Sequence, residues 1–132
     1  MSNLKDFEIQ DSALIKYVGN DNVVAIPNGV VKVDKFVFEG TNVEEVIIPS
    51  SVEKISDVAF NETFNLQKIV VDDANPIYCS IDGCLYSKDK KRFILSPNRT
   101  DTLYIAEGCE AIEPYAFFQR KVGKIVFPKT LK

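Results

Sequence analysis

Five stretches of this chain fall into one register, and that register rules out most folds. Aligned on the end of a short β-branched run, Ile26-Pro27, Ile48-Pro49, Val71-Asp72, Ile105-Ala106 and Phe127-Pro128 share one position, at steps of 22, 23, 34 and 22 residues. Steps of about 20–30 residues mark a solenoid, in which each repeat is one supersecondary unit. The step of 34 is then a coil carrying an insertion. The downstream halves keep the register: Val30, Val52, Cys109 and Leu131 lie four residues past the aligned position, and Val33, Ile55 and Ile112 lie seven past it. Next come Val37-Phe38, Ala59-Phe60 and Ala116-Phe117, a small residue or valine before a phenylalanine. The loop Asn61-Glu62-Thr63-Phe64-Asn65 is one residue longer than its siblings, which explains the step of 23.

A coil this short cannot bury its own apolar residues, so the expectation is a stack of coils sharing one continuous core. Val46 and Ile48 alternate with Glu45 and Ile47, the period of two of a strand with one buried face. Pro49 lacks an amide hydrogen and suits the strand's exit. Ser56-Asp57 reads as a cap for one helical turn, as does Glu113 before Pro114, a residue suited to the first helical position. The expected fold class is a repeat solenoid, mainly β with short helical or 3-10 turns.

The unit Ile-Pro-x-x-Val-x-x-Ile-x-x-x-Ala-Phe, followed by Leu-x-x-Ile/Val-x-Ile/Val, resembles the BspA-type leucine-rich repeat over roughly Asn22 to Leu131. Val37, Val71-Asp72, Ile105-Ala106 and Cys109 depart from the pattern, mostly by small apolar swaps. The resemblance implies a right-handed leucine-rich-repeat coil used for protein recognition, commonly on bacterial or protozoan cell surfaces. It brings no catalytic residues.

Two hairpins punctuate the array. Phe7 to Val18 alternates and turns at Asp11-Ser12, while Tyr78 to Ser87 does the same at Asp82-Gly83, a strong two-residue turn signal. Asp11-Ser12-Ala13-Leu14 and Asp82-Gly83-Cys84-Leu85 are related in sequence. The expected single domain comprises a capping hairpin at 1–22, repeats at 23–75, an inserted hairpin at 76–98 and repeats at 99–132 with an uncapped end. That open end leaves apolar residues and a strand edge for a second copy, so a homo-oligomer is one expectation.

Composition narrows the function classes. A net charge of −3 gives no basic footprint for nucleic acid. No apolar run approaches a membrane span, and Met1 to Asp6 lacks the apolar core of a signal peptide. If the chain is complete, a cytoplasmic location is expected; if it is a fragment of a longer protein, a secreted or surface location. Histidine is absent, which removes the commonest acid/base group, and no Gly-rich phosphate loop occurs, so neither an enzyme nor a cofactor is expected. Cys79, Cys84 and Cys109 are an odd set. With Asp82-Gly83 as the turn, Cys79 and Cys84 are diagonal neighbours about 7 Å apart, too far for an unstrained disulfide, and their spacing suits no zinc site. Free thiols are expected.

The candidate partner-binding surface is the outer face of the stacked runs. If Val24, Val46, Ile69, Leu103 and Ile125 point inward, then Ala25, Ile47, Val70, Tyr104 and Val126 line up outside. Two residues earlier, Val23, Glu45, Lys68, Thr102 and Lys124 rim that row. An apolar row with a charged rim fits a protein interface, while side-chain pairing along a parallel sheet would produce the same row without any ligand. Charge is also polarised: residues 1–80 carry 6 basic and 13 acidic side chains, net −7, and residues 81–132 carry 10 and 6, net +4. Lys88, Lys90, Lys91 and Arg92 form a secondary basic patch that a solvated hairpin tip also explains. A protein-interaction module leads, ahead of a self-assembling surface repeat and a small inhibitor docking on a host enzyme.

Overall fold

The computed structural model describes residues 4–132. A 3-10 turn at Leu4–Asp6 precedes thirteen strands, and no α-helix occurs among the described residues. The first hairpin pairs β1 (Phe7–Gln10) with β2 (Ala13–Tyr17). Its turn residues Asp11 and Ser12 both have positive φ, the backbone that a two-residue turn matched to strand twist requires.

The β-branched runs of the first three coils become β3 (Val23–Ala25), β5 (Glu45–Ile48) and β7 (Lys68–Val71), paired in parallel with Val24 beside Val46 and Val46 beside Ile69. A second parallel ladder runs through the other arm of the coils, where β4 (Lys32–Val33) and β6 (Lys54–Ile55) continue from β2 in the order β1-β2-β4-β6. The turns carrying Phe38 and Phe60 close with single i to i+3 bonds, such as Ala59 N–H to the Ser56 carbonyl at 3.0 Å. Ser56 Oγ accepts from Val58 N–H at 3.3 Å, the local cap its position implies, but the turn does not extend into regular helix.

The expected solenoid of about five coils is present, but the insertion breaks its strand ladder and divides its core in two. β8 (Tyr78–Ile81), β9 (Cys84–Ser87) and β10 (Arg92–Leu95) form an antiparallel meander, and β12 (Ala111–Ile112) adds to β10 in parallel. The last runs, β11 (Arg99–Tyr104) and β13 (Val122–Val126), make their own two-stranded sheet, Leu103 beside Ile125 and Tyr104 beside Val126. β7 and β11 are not paired. The meander stands between the two half-stacks as a wall with two apolar faces. Along β9, Leu85 packs into the core of coils 1–3, while Cys84 and Tyr86 pack into the core of the last two coils. On β10, Phe93 faces the second core and Leu95 the first, the parity switching at a bulge between them. Period-two alternation thus serves two cores instead of core and solvent. The second turn shares the first one's positive φ, at Asp82 and Gly83, yet the second hairpin needs a third strand, because β10 and not β9 pairs with a strand of the coil that follows.

An aromatic ladder shows the same division. Phe7–Tyr17, Tyr17–Phe38 and Phe38–Phe60 are in contact at 5.2, 6.0 and 5.4 Å between ring centroids, and Tyr86–Phe93 and Phe93–Phe117 at 5.1 and 5.3 Å. Between Phe60 and Phe117 the ladder is bridged by Arg120. Its position, fifteen past the aligned residue, is held by Thr41 and Thr63 in the first two coils, where each hydroxyl bonds the carbonyl of its own phenylalanine. Arg120 instead reaches back across the gap to the carbonyls of Phe60 and Thr63 and to Thr63 Oγ1 at 2.8–3.0 Å. No carboxylate pairs with it among the described residues, and burial pulls its pKa down.

Side-chain clips join consecutive coils. Ser51 Oγ accepts from Gly29 N–H and donates to the Val30 carbonyl, and Thr130 Oγ1 does the same for Gly108 and Cys109. The third coil has Ala74 at that position, and its neighbour Asn75 takes over. Asn75 occupies the buried position of Val30, Val52 and Cys109, donating Nδ2 to the carbonyls of Pro49 and Val52 and accepting at Oδ1 from Ile77 and Tyr78 N–H. The polar group is fully satisfied, as burial demands.

Candidate functional site

The outer face of the stacked runs is present but comes in two panels. Val23, Glu45 and Lys68 align, as do Ala25, Ile47 and Val70, on the β3-β5-β7 sheet; Thr102 aligns with Lys124 and Tyr104 with Val126 on the β11-β13 sheet. Val24, Val46, Ile69 and Leu103 are fully buried beneath them, whereas Ile125 at the outermost strand is only half-buried. Ile47 and Val70 are half-buried, while Tyr104 stands out at 65% exposure and Val126 is exposed. The single aligned row inferred from the sequence is therefore interrupted.

What interrupts it is a cleft of about 1020 Å³, with the inserted turn at its centre. One side is Phe64, Lys68 and Val70; the other is Asn98 to Asp101 with Lys121, and Asp82 and Gly83 lie between. The sheet edge of β7 is met by the insertion and not by a fourth strand: Ile69 N–H bonds the Gly83 carbonyl at 2.9 Å, and Val71 N–H bonds Ser80 Oγ at 2.9 Å. Tyr78 Oη likewise accepts from Ile55 N–H at 3.0 Å, and Tyr86 Oη from Ala106 N–H at 3.1 Å. Four backbone donors exposed by the break are satisfied by the meander, three of them by side-chain hydroxyls. Gly83, at φ +78°, brings its backbone against β7, with its α-carbon facing Lys68.

Arg99 anchors the cleft floor. It donates to Asp82 Oδ2 at 2.7 Å and the Asp82 carbonyl at 2.9 Å, and forks onto both oxygens of Asp101 at 3.0 Å. Its hydrogen bonds to Asp101 raise its pKa and hold the Asp101 carboxyl below the usual range. Both acids lining the cleft are thus committed to Arg99. Lys68 and Lys121 take part in no ion pair among the described residues. Their spare charge, together with Phe64 at 62% exposure, was not anticipated from the sequence, because only the insertion brings residues 64–70 beside residues 98–101 and 121.

The secondary basic patch is exposed at all four residues, but two of its cations have local partners. Arg92 is paired with Glu113, Lys88 Nζ bonds the Asp73 carbonyl at 2.8 Å, and Asp89 caps the turn through Ser87 Oγ and Lys91 N–H. Lys90 and Lys91 remain as its unpaired cations among the described residues. At the last coil Phe127 is 53% exposed, whereas Ile26, Ile48, Val71 and Ile105 at the same position are buried.

All three cysteines are free, with Cys79 opposite Tyr86 and Ile81 opposite Cys84 as the turn implies. Burial pushes the Cys84 thiol up to about 11 and the Tyr86 phenol up to about 12. Both groups hold their protons more tightly folded than unfolded. Their contribution is therefore complete below about pH 9 and is lost as pH rises through 9–12, at up to ~1.4 kcal/mol per unit for each group ionised only in the unfolded chain. Urea midpoints at pH 8, 9 and 10 should fall over the last step, and Cys84→Ala should shift the onset toward pH 10. A midpoint independent of pH up to 10 would contradict the burial of Cys84.

No group of three or more Cys, Asp or Glu side chains is placed to hold a metal, and no helix is long and apolar enough to cross a membrane, among the described residues. The chain superimposes on a leucine-rich repeat protein from Eubacterium ventriosum with a TM-score of 0.71 and 24% identity, over 81% of this chain and 30% of that one. It superimposes on the pneumococcal vaccine antigen PcpA at 0.64 and 18% identity, over 84% and 35%. A leucine-rich cell surface protein from Faecalibacterium prausnitzii A2-165 gives 0.64 at 25% identity, over 83% and 36%. The chain thus spans about a third of the length of these proteins. No curated protein matches it. The BspA-type leucine-rich repeat region matches in six copies across residues 8–132, beginning inside the first hairpin, and the chain belongs to this family of protein-interaction and surface repeat modules.

Proposed function

We propose that this chain is a non-enzymatic protein-binding module that engages its partner through the outer strand face. Ile47, Val70, Tyr104 and Val126 would make the apolar contact, and Glu45, Lys68 and Lys124 would form the rim. The observation that carries this reading is Tyr104: a large aromatic side chain, 65% exposed on a strand, beside an exposed Val126. Tyrosine offers much contact area for little conformational entropy, and aromatic residues concentrate where interfaces are strongest. The neighbouring proteins described as leucine-rich repeat and cell surface proteins agree with such a role without naming a partner.

A photo-crosslinking residue placed at position 104, and separately at the exposed Lys16 of the N-terminal hairpin, tests it in extract from the source cells. The expected result is a discrete protein adduct from position 104 that vanishes with Ile47→Asp, and none from position 16. Equal adducts from both positions, or an adduct indifferent to Ile47→Asp, would overturn the face.

A further inference from the structure

We infer that the cleft between the two panels is a docking site for an acidic peptide segment of a partner protein, seated on Lys68, Lys121 and Phe64. The assignment rests on the proposal that this face binds protein and names the chemistry of what enters its centre. Three cations line the cleft, Lys68 from β7, Arg99 from β11 and Lys121 from the turn before β13, against two carboxylates, Asp82 and Asp101. Both carboxylates are held by the single Arg99, so the lining carries one net positive charge, and its two lysines stand one on each wall, outside any ion pair among the described residues.

A peptide fits this arrangement better than a nucleic acid does. Its side-chain carboxylates would meet Lys68 and Lys121, and its backbone N–H groups would find Asp82, whose side chain is 57% exposed and bonds Arg99 through Oδ2. Nucleic acid phosphates bring no backbone N–H donors to those carboxylates. Phe64, 62% exposed at the cleft's edge, offers an apolar contact beside the charges. Gly83 leaves the floor of the cleft as bare backbone.

Titrating the 15N-labelled protein with the blocked peptide acetyl-Glu-Phe-Glu-Val-Glu-Phe-amide tests this directly. The expected shifts centre on Lys68, Gly83, Arg99 and Lys121, weaken with added salt, and are lost by at least tenfold in affinity in Lys68→Glu/Lys121→Glu. The same peptide with lysine in place of glutamate should give no shifts there. The site is overturned if the glutamate peptide shifts other residues or none, if the lysine peptide binds as well, or if an eight-nucleotide oligothymidine binds the same residues more tightly. Spectral dispersion of the double variant separates lost binding from lost folding. A crosslink from position 104 that persists while the peptide fails to bind would remove the peptide site and leave the face itself standing.

Discussion

Phe93→Ala should cost about 3–5 kcal/mol, the range for truncating a buried aromatic side chain. Phe93 is fully buried on β10 and touches Tyr86 edge-on at 5.1 Å and Phe117 in a stack at 5.3 Å. It is the rung by which the meander grips the last two coils, whose buried cluster is small: Cys84, Tyr86, Phe93, Leu103, Ile105, Cys109 and Ala116. The first cluster is nearly three times as populous and should survive longer. The loss should therefore be uneven. Urea unfolding followed by hydrogen exchange should show amides of β11 to β13 losing protection before those of β3 to β7. Uniform loss of protection across both halves would mean that the two clusters are one cooperative core.

Asn75→Val should be nearly as damaging, at about 2–4 kcal/mol, although valine is what Val30 and Val52 place at the same position. Four hydrogen bonds end on the Asn75 side chain, and its removal leaves the Ile77 and Tyr78 N–H groups and the Pro49 carbonyl in a partly buried setting, and the Val52 carbonyl in a buried one, to find new partners. Asn75→Asp keeps an acceptor for Ile77 and Tyr78 and, while protonated, one of the two donors, so it should fall between the asparagine and the valine proteins at low pH and drop further as its carboxyl ionises and the last donor is lost. The midpoint of thermal unfolding for the three proteins decides the order. A valine variant as stable as the parent would show that repeat consensus outweighs the local network.

Much of this architecture was legible because repeats print their own alignment. The register on Ile26, Ile48 and Val71 gave the parallel ladder residue for residue, and the Asp82-Gly83 turn gave the Cys79–Tyr86 and Ile81–Cys84 pairs. The step of 34 announced an insertion but not its consequence. A strand that alternates between core and solvent and one that alternates between two cores carry similar patterns, and β9, buried at Cys84, Leu85 and Tyr86, is the second kind. Hence the column was expected to run unbroken past β7, where it is interrupted. Asn75 also escaped notice, since a polar residue at a core position looks like a lapse in the repeat until its four partners are seen. The face residues were placed correctly as neighbours within each panel. The cleft joining Lys68 to Arg99 and Lys121 was not readable, because nothing local to those residues encodes how far the insertion separates β7 from β11.

The division of the array by its insertion is the claim on which the cleft, the uneven stability and the split face all depend. Amide-resolved nuclear Overhauser spectra test it at β7. The Ile69 amide proton should lie close to the α-protons of Gly83, and the Val71 amide proton close to Ser80, with no contact from Ile69 or Val70 to Thr102, Leu103 or Tyr104. Cross-strand contacts from Ile69 and Val70 to those β11 residues would restore one unbroken sheet and contradict it.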